Sequence, residues 1–116
     1  GTMRLGGHTI VLKKGTKLYE AYGREKRVER FRHRYHIVPK YARDAEKRGL
    51  KISATDESGR IVNGIEVEGD PWIVGVQFHP EFKSRPGRPS PIYLEFVSRA
   101  LEYRKRREAT PVSLRA

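Results

Sequence analysis

The sequence predicts an α/β fold in which the chain forms the C-terminal part of a larger sheet. Three observations support this prediction. Residues 72–78 form a nearly continuous apolar run of strand length, residues 50–67 alternate as a β-hairpin does, and an amphipathic helix follows Ser90. At 116 residues the chain is long enough for one hydrophobic core and too short for two domains of ordinary size.

The first predicted strand and helix lie before Gly23. Residues 9–12, a threonine followed by three apolar residues, favour a short strand, which a turn beginning at Lys13 closes. Residues 17–22 can then form a short helix, because Gly23 is the residue type that most often ends one.

A second strand and helix are expected on either side of Pro39. Residues 34–38 are predicted to be the strand, which ends where proline removes a backbone N–H. The same proline suits the first turn of a helix that continues to Gly49. Tyr41, Ala42, Ala45 and Leu50 are expected to face inward, and the other residues are mostly charged.

The second half of the chain begins with a predicted hairpin. Residues 50–54 and 61–67 alternate as strands, and residues 56–59 between them are a strong turn signal. The apolar run 72–78 suits a central strand that is covered on both faces. We therefore expect this run to be the most buried segment of the chain.

The closing helix has clear signals at its start. Ser90 can act as the N-cap, and Pro91 suits the first helical position. Apolar residues then recur at helical spacing on one face, at Ile92, Phe96, Val97, Ala100 and Leu101. We expect the helix to fray near residue 107 and residues 108–116 to form a disordered tail.

The charge balance suggests a polyanionic partner without requiring one. Lysine and arginine total 25 against 14 acidic residues, which gives a net charge of +11. The same composition also suits a solvated charged surface or a site for nucleotide phosphates. We expect no membrane span, because no apolar run approaches the ~20 residues that a bilayer requires. With no signal peptide visible, a cytoplasmic location is expected.

The chemistry of the sequence is concentrated directly after the apolar run. His79 lies at the predicted strand end, where sites in open α/β sheets are found, and Glu81 follows two residues later. In an extended segment this spacing brings both side chains to one side, so that Glu81 can orient the imidazole while its other nitrogen faces a nucleophile. On spacing alone, a capped loop with an incidental hydrogen bond is the commoner explanation.

The full string around these residues is more specific. GVQFHPEF at residues 75–82 resembles the closing motif of class I glutamine amidotransferases, in which the His and Glu complete a triad begun by a distant cysteine. Three further segments narrow the resemblance to the CTP synthase family: GTMRLG at residues 1–6, ERFRHRY at residues 29–35, and FKSRP at residues 82–86, followed by PSP. Phe31 stands where that family commonly has histidine.

This resemblance implies the C-terminal portion of a flavodoxin-like amidotransferase domain over residues 1–107. It implies that His79 is the general base and acid and that Glu81 orients it. Arg34 is implied as a contact to bound glutamine, whose carboxylate a guanidinium fork matches. Arg4 is a candidate for the region near the GTP effector and the synthetase interface.

For the whole enzyme, the resemblance implies ATP-dependent amination of UTP to CTP with glutamine as ammonia donor. ATP, Mg²⁺ and the effector GTP would belong to that enzyme and not to this segment. The implied partners are the N-terminal half of the amidotransferase domain, the synthetase domain and further copies in a homotetramer. The chain has no cysteine, so by itself it is expected to be inactive.

Several alternatives remain open from the sequence. The chain could belong to another class I amidotransferase, or act as a basic module that binds RNA or another polyanion, although it lacks a recognised RNA-binding pattern. It is either a fragment of a longer enzyme, which a start inside a family motif favours, or a degenerate domain. His33 and His36 suggest no zinc site, because a strand would place them on opposite faces.

Overall fold

A computed structural model describes residues 4–114, without the side chain of Arg4. The chain forms one five-stranded sheet with helices around it, in agreement with the predicted α/β class. The strands are β1 (Arg4–Leu12), β2 (Lys26–His33), β3 (Leu50–Thr55), β4 (Val62–Val67) and β5 (Ile73–Val76). The α-helices are α1 (Lys17–Tyr22), α2 (Pro39–Glu46) and α3 (Pro91–Ala109), and 3₁₀ turns cover Pro80–Lys83 and Val112–Leu114.

The sheet has the strand order β2-β1-β3-β4-β5, and each neighbouring pair is antiparallel. β1 pairs with β2 along eight residue pairs, from Arg4 opposite His33 to Val11 opposite Lys26. The predicted hairpin is confirmed as β3 and β4. None of the described helices is both long and apolar enough to cross a membrane.

The predicted second strand at residues 34–38 is wrong. The strand is β2, immediately before it, and residues 34–38 are irregular except for one bridge from Ile37 to Val62. In β2 the buried positions include Glu29 and Phe31, with the exposed Arg30 between them. Because one buried side chain is itself charged, the strand shows no apolar alternation in the sequence.

The prediction of a central, doubly covered strand at residues 72–78 is also wrong. β5 pairs only with β4 among the described strands, and Ile73 is 49% exposed. Phe78, which follows the strand, is the member of the run that is buried. An apolar run indicates strand propensity, but it does not tell where in the sheet the strand lies.

The helices begin where the sequence predicts, but their burial differs. Tyr41 of α2 is exposed, whereas Ala42 is buried. In α3 only Ile92 is buried, and about half of the Phe96 and Leu101 side chains is exposed. Ser90 is the N-cap residue, but its side chain makes no capping hydrogen bond. The helix continues to Ala109, and the disorder expected for residues 108–116 stays a prediction.

The main core lies between the sheet, α1 and the start of α3. It consists of Ile10, Leu12, Leu18, Tyr22, Phe31, Ala54, Phe78 and Ile92. A smaller cluster of Ala42, Ile52 and Val62 lies beside α2. The main core includes residues from β2 and from the segment after β5, so it brings these two segments together.

Lys17 and Glu66 join the start of α1 to the end of β4. The Lys17 Nζ donates hydrogen bonds to the carbonyl oxygens of Val67 and Gly69, both at 2.5 Å, and of Pro71 at 3.4 Å. The buried Glu66 carboxylate accepts the backbone N–H of Lys17 at 2.8 Å. One lysine therefore satisfies three carbonyl oxygens of the turn between β4 and β5.

We predict that Gly64→Ala destabilises the fold by about 1–3 kcal/mol. A Cβ at this buried position would lie 2.9 Å from Leu18 Cδ2 and 3.0 Å from Ser53 Oγ. In the matched control Gly75→Ala, the nearest atom is Ile65 Cγ1 at 3.3 Å, a longer distance than either contact at Gly64, so a smaller loss is expected. Urea denaturation of the polypeptide that carries the chain measures both, and equal stability of the two variants would contradict the prediction.

We predict that Glu29→Gln weakens the pH dependence of stability. Burial raises the pKa of the Glu29 carboxyl, and Arg27, 2.9 Å away, opposes this shift only in part. A raised folded-state pKa gives stability that is fully present below the unfolded-state pKa and is lost as the pH rises through the folded-state pKa. Unfolding free energies should therefore fall less from acid to neutral pH in Glu29→Gln than in the parent. The same fall in both would contradict this, and the exposed Glu68→Gln is the control.

Candidate active site

The candidate site begins where the chain leaves β5. Phe78 is buried against Phe31 of β2, with ring centroids 5.9 Å apart. The next residue, His79, donates its backbone N–H to the Arg30 carbonyl at 2.9 Å. The core therefore fixes the position of the His79 backbone beside the end of β2, while the His79 side chain stays partly accessible.

His79 and Glu81 are in direct contact, as the sequence predicts. His79 Nδ1 lies 2.6 Å from Glu81 Oε1. The extended segment expected between them is not found, because Pro80–Lys83 forms a 3₁₀ turn in which Pro80 is buried. The side chains remain accessible, His79 at 33% and Glu81 at 48%.

The carboxylate of Glu81 is held in its charged form. Its pKa is lowered first by a hydrogen bond from its own backbone amide and then by the hydrogen bond with His79. The Tyr93 hydroxyl of α3 donates to Glu81 Oε2 at 3.4 Å and lowers the pKa further. Each carboxylate oxygen thus has a different partner, and Oε1 is reserved for the imidazole.

Two further rings stack on the imidazole of His79. The His33 ring lies 5.1 Å away with an interplanar angle of 16°, and the Phe82 ring lies 5.1 Å away at 29°. His33 is the last residue of β2, and Phe82 belongs to the 3₁₀ turn. The imidazole is therefore held by a hydrogen bond at Nδ1 and by ring contacts from two segments.

Arg34 and Arg4 both lie next to His33. Arg34 follows it in the chain and is exposed, with no hydrogen bond or ion pair from its side chain to the rest of the described chain. Arg4 lies opposite His33 in the β1–β2 register. Tyr35, which follows Arg34 in the chain, accepts a hydrogen bond through its backbone carbonyl from Gln77 Nε2 at 2.6 Å. Glutamine binding by Arg34 and the effector role of Arg4 stay predictions.

The sequence prediction missed Tyr93 and Phe82 as members of the site, and it considered His33 only as a possible metal ligand. Tyr93 is twelve residues from Glu81 in sequence, and its place on α3 gives no local signal. Its position in the first turn after the PSP segment, which a sequence resemblance already singled out, is the one available hint.

No arrangement of three His, Cys, Asp or Glu side chains able to hold a metal ion occurs within residues 4–114. The strand assumed for His33 and His36 is also wrong, because His33 ends β2 and His36 lies in the loop that follows. The binding of ATP, Mg²⁺ or GTP stays an expectation from the resemblance.

The arrangement is suited to proton transfer. With Nδ1–H donated to a charged carboxylate, the lone pair of Nε2 is the one that can accept a proton from a nucleophile. The carboxylate also stabilises the imidazolium that results. The geometry therefore provides a base and its orienting group, and the cysteine-free sequence provides no thiol for them to act on.

Comparison with known proteins identifies the family. The family model described as glutamine amidotransferase class-I matches residues 2–99. The chain belongs to the class I glutamine amidotransferases. The matched range includes both His79 and Glu81.

Curated relatives of this amidotransferase are named CTP synthase. The chain is 51% identical over 104 residues to the protein from Symbiobacterium thermophilum, covering 90% of this chain and 19% of the relative. It is 48% identical over 108 residues to the protein from Archaeoglobus fulgidus, covering 93% of this chain and 20% of the relative. The chain thus spans about a fifth of the length of the curated relatives it matches.

A solved structure shows the same fold. The glutaminase domain of Trypanosoma brucei CTPS with bound acivicin superimposes with a TM-score of 0.81 at 35% sequence identity. The match covers 88% of this chain and 41% of that chain. The predicted fold class, part of a class I amidotransferase domain, is confirmed.

We predict that the pKa of Glu81 rises toward its ordinary value in two variants. His79→Ala removes the stronger side-chain hydrogen bond, and Tyr93→Phe removes a weaker one, so the rise should be larger in His79→Ala. A depressed folded-state pKa gives stability that is present above the unfolded-state pKa and is lost as the pH falls through the folded-state pKa, so both variants should lose less stability on acidification than the parent.

Carbon-13 NMR titration of the Glu81 carboxyl carbon measures this shift. Tyr41→Phe is the matched control, since Tyr41 is exposed on α2. An unchanged titration midpoint in His79→Ala would show that the imidazole is not a partner of the carboxylate.

Proposed function

We propose that this chain is the C-terminal part of the glutaminase domain of a CTP synthase. The 2.6 Å contact between His79 Nδ1 and Glu81 Oε1 supports a catalytic pair, and the names of the curated relatives support the choice of enzyme. The rest of the active site, including the cysteine, would come from the portion of the domain that this chain does not contain. The chain supplies the base, its orienting carboxylate and a substrate contact.

The proposed reaction begins with a proton transfer from the cysteine thiol to His79 Nε2. The thiolate attacks the side-chain amide carbonyl of glutamine and forms a tetrahedral intermediate. As the C–N bond breaks, the imidazolium returns the proton to the departing nitrogen, and ammonia leaves. Water then hydrolyses the thioester to glutamate with His79 as the base, and Glu81 holds the imidazole throughout.

Arg34 is proposed to bind the α-carboxylate of glutamine. Arg34 is exposed and directly follows His33, whose ring stacks on that of His79. A guanidinium fork offers two parallel donors to a carboxylate. The ammonia is proposed to pass to a synthetase domain that uses ATP and Mg²⁺ to activate UTP, under control by GTP, in a cytoplasmic homotetramer.

A polyanion-binding function is the second candidate, because one cavity has a strongly basic lining. This cavity of about 710 Å³ is lined by Arg24, Arg27, Lys83, Arg85 and Arg88. Binding of RNA there would weaken steeply with salt and would survive His79→Ala. Another class I amidotransferase is disfavoured by the 45–51% identity to proteins named CTP synthase.

We predict that His79→Ala lowers kcat for glutamine hydrolysis by about 10²–10⁴-fold in the full-length polypeptide, which joins this chain to the upstream half of the domain and to the proposed synthetase domain. CTP formation driven by added ammonia should be unchanged, because it bypasses the glutaminase site. Steady-state assays with glutamine and with ammonium chloride measure both, and the exposed Glu68→Gln is the control.

The isolated chain gives a second, independent result. Ammonia release from glutamine should not exceed that of its His79→Ala variant, because no thiol is present. Release above that control would show that the triad mechanism is not the one in use.

A further inference from the structure

His33 lies outside the proposed triad but touches its base directly. The two imidazole rings are nearly parallel, with centroids 5.1 Å apart and an interplanar angle of 16°. Resting on the proposed function of His79, we infer that His33 is a positioning residue, which fixes the plane of the catalytic imidazole by stacking on it.

The position of His33 is itself well fixed. It is the last residue of β2, and its backbone lies in register opposite β1. The His33 ring also makes a T-shaped contact with the buried Phe31 ring, with centroids 6.4 Å apart and an interplanar angle of 80°. The Arg32 backbone N–H lies 3.4 Å from His33 Nδ1. The His33 ring, which stacks on His79, is therefore held by a strand of the sheet and by a core side chain.

His79 is tied to the same strand by its backbone. Its N–H donates to the Arg30 carbonyl at 2.9 Å, three residues before His33. A second link joins the neighbouring segments, because Gln77 Nε2 donates to the Tyr35 carbonyl at 2.6 Å. These two bonds hold the segments on either side of the stacked rings, so the stacking geometry follows from the fold.

The stacking supplies a constraint that Glu81 cannot supply. A single hydrogen bond at Nδ1 fixes the distance between ring and carboxylate, but it lets the ring turn about the line that joins them. A face contact limits that rotation and so directs the Nε2 lone pair. Misorientation of a base is costly because proton transfer needs aligned atoms within hydrogen-bond reach.

A shared metal ion does not explain the pair. Imidazole ligands direct their lone pairs in the ring plane toward one point, whereas stacked, nearly parallel rings present their faces to each other. A third ligand is not present either in the described part of the chain. The contact is therefore assigned to orientation of the ring.

The test compares His33→Ala with His33→Phe in the full-length polypeptide, which joins this chain to the upstream half of the domain and to the proposed synthetase domain. His33→Ala should lower kcat for glutamine hydrolysis about tenfold and change KM for glutamine less than about twofold, because substrate binding is retained and base alignment is lost. His33→Phe keeps an aromatic face and should recover kcat to within about threefold of the parent. The control His36→Ala removes a nearby, exposed histidine and should leave kcat unchanged.

Each other outcome has a defined meaning. Parent-like kcat in His33→Ala overturns the inference, and so does a loss in His33→Phe as large as in His33→Ala, because the role would then need the imidazole nitrogens. If His33→Ala also loses ammonia-driven CTP formation, it is misfolded, and His33→Leu replaces it with the same expected tenfold loss. If His79→Ala keeps glutamine-dependent activity, the proposed function fails and not the stacking alone.

Discussion

The packing of Phe78 against Phe31 is the interaction on which the site depends. These two buried rings join the segment that leaves β5 to the far edge strand β2, although three strands lie between them in the sheet order. Because Phe78 is anchored, His79 emerges at one fixed place, next to the end of β2. Every other contact of the imidazole, whether with Glu81, His33 or Phe82, depends on that position.

Local signals in the sequence were sufficient to predict the elements that are bounded by turn and cap residues. α1 ends at Gly23 in a left-handed conformation, and the β3–β4 hairpin turns across Asp56 and Gly59, as expected from glycine and turn chemistry. The contact between His79 and Glu81 was also predictable, because the two residues are only two positions apart and lie in a specific sequence motif. The 3₁₀ turn that joins them was not, since an extended segment and a tight turn can both bring such side chains together.

The remaining features depend on contacts between distant residues. β2 has no apolar alternation because Glu29 occupies a buried position, with Arg27 2.9 Å from its carboxylate. β5 is apolar although it lies at an edge, and the α3 residues Phe96 and Leu101 are apolar although they are half exposed. These surfaces are consistent with a chain that represents 41% of the matched glutaminase structure. Tyr93 reaches Glu81 only because α3 packs beside the 3₁₀ turn, which no local pattern reveals.

The chemical reactivity of the Lys17 side chain can report local unfolding of the turn between β4 and β5. Lys17 Nζ donates hydrogen bonds to the carbonyl oxygens of Val67, Gly69 and Pro71, and these bonds last as long as the turn between β4 and β5 keeps its native conformation. A reagent that acylates amines needs a free, deprotonated nitrogen. It will therefore label exposed lysines such as Lys26 first and Lys17 only when the turn opens. The rate of labelling at this one residue would report how often the turn between β4 and β5 separates from the start of α1.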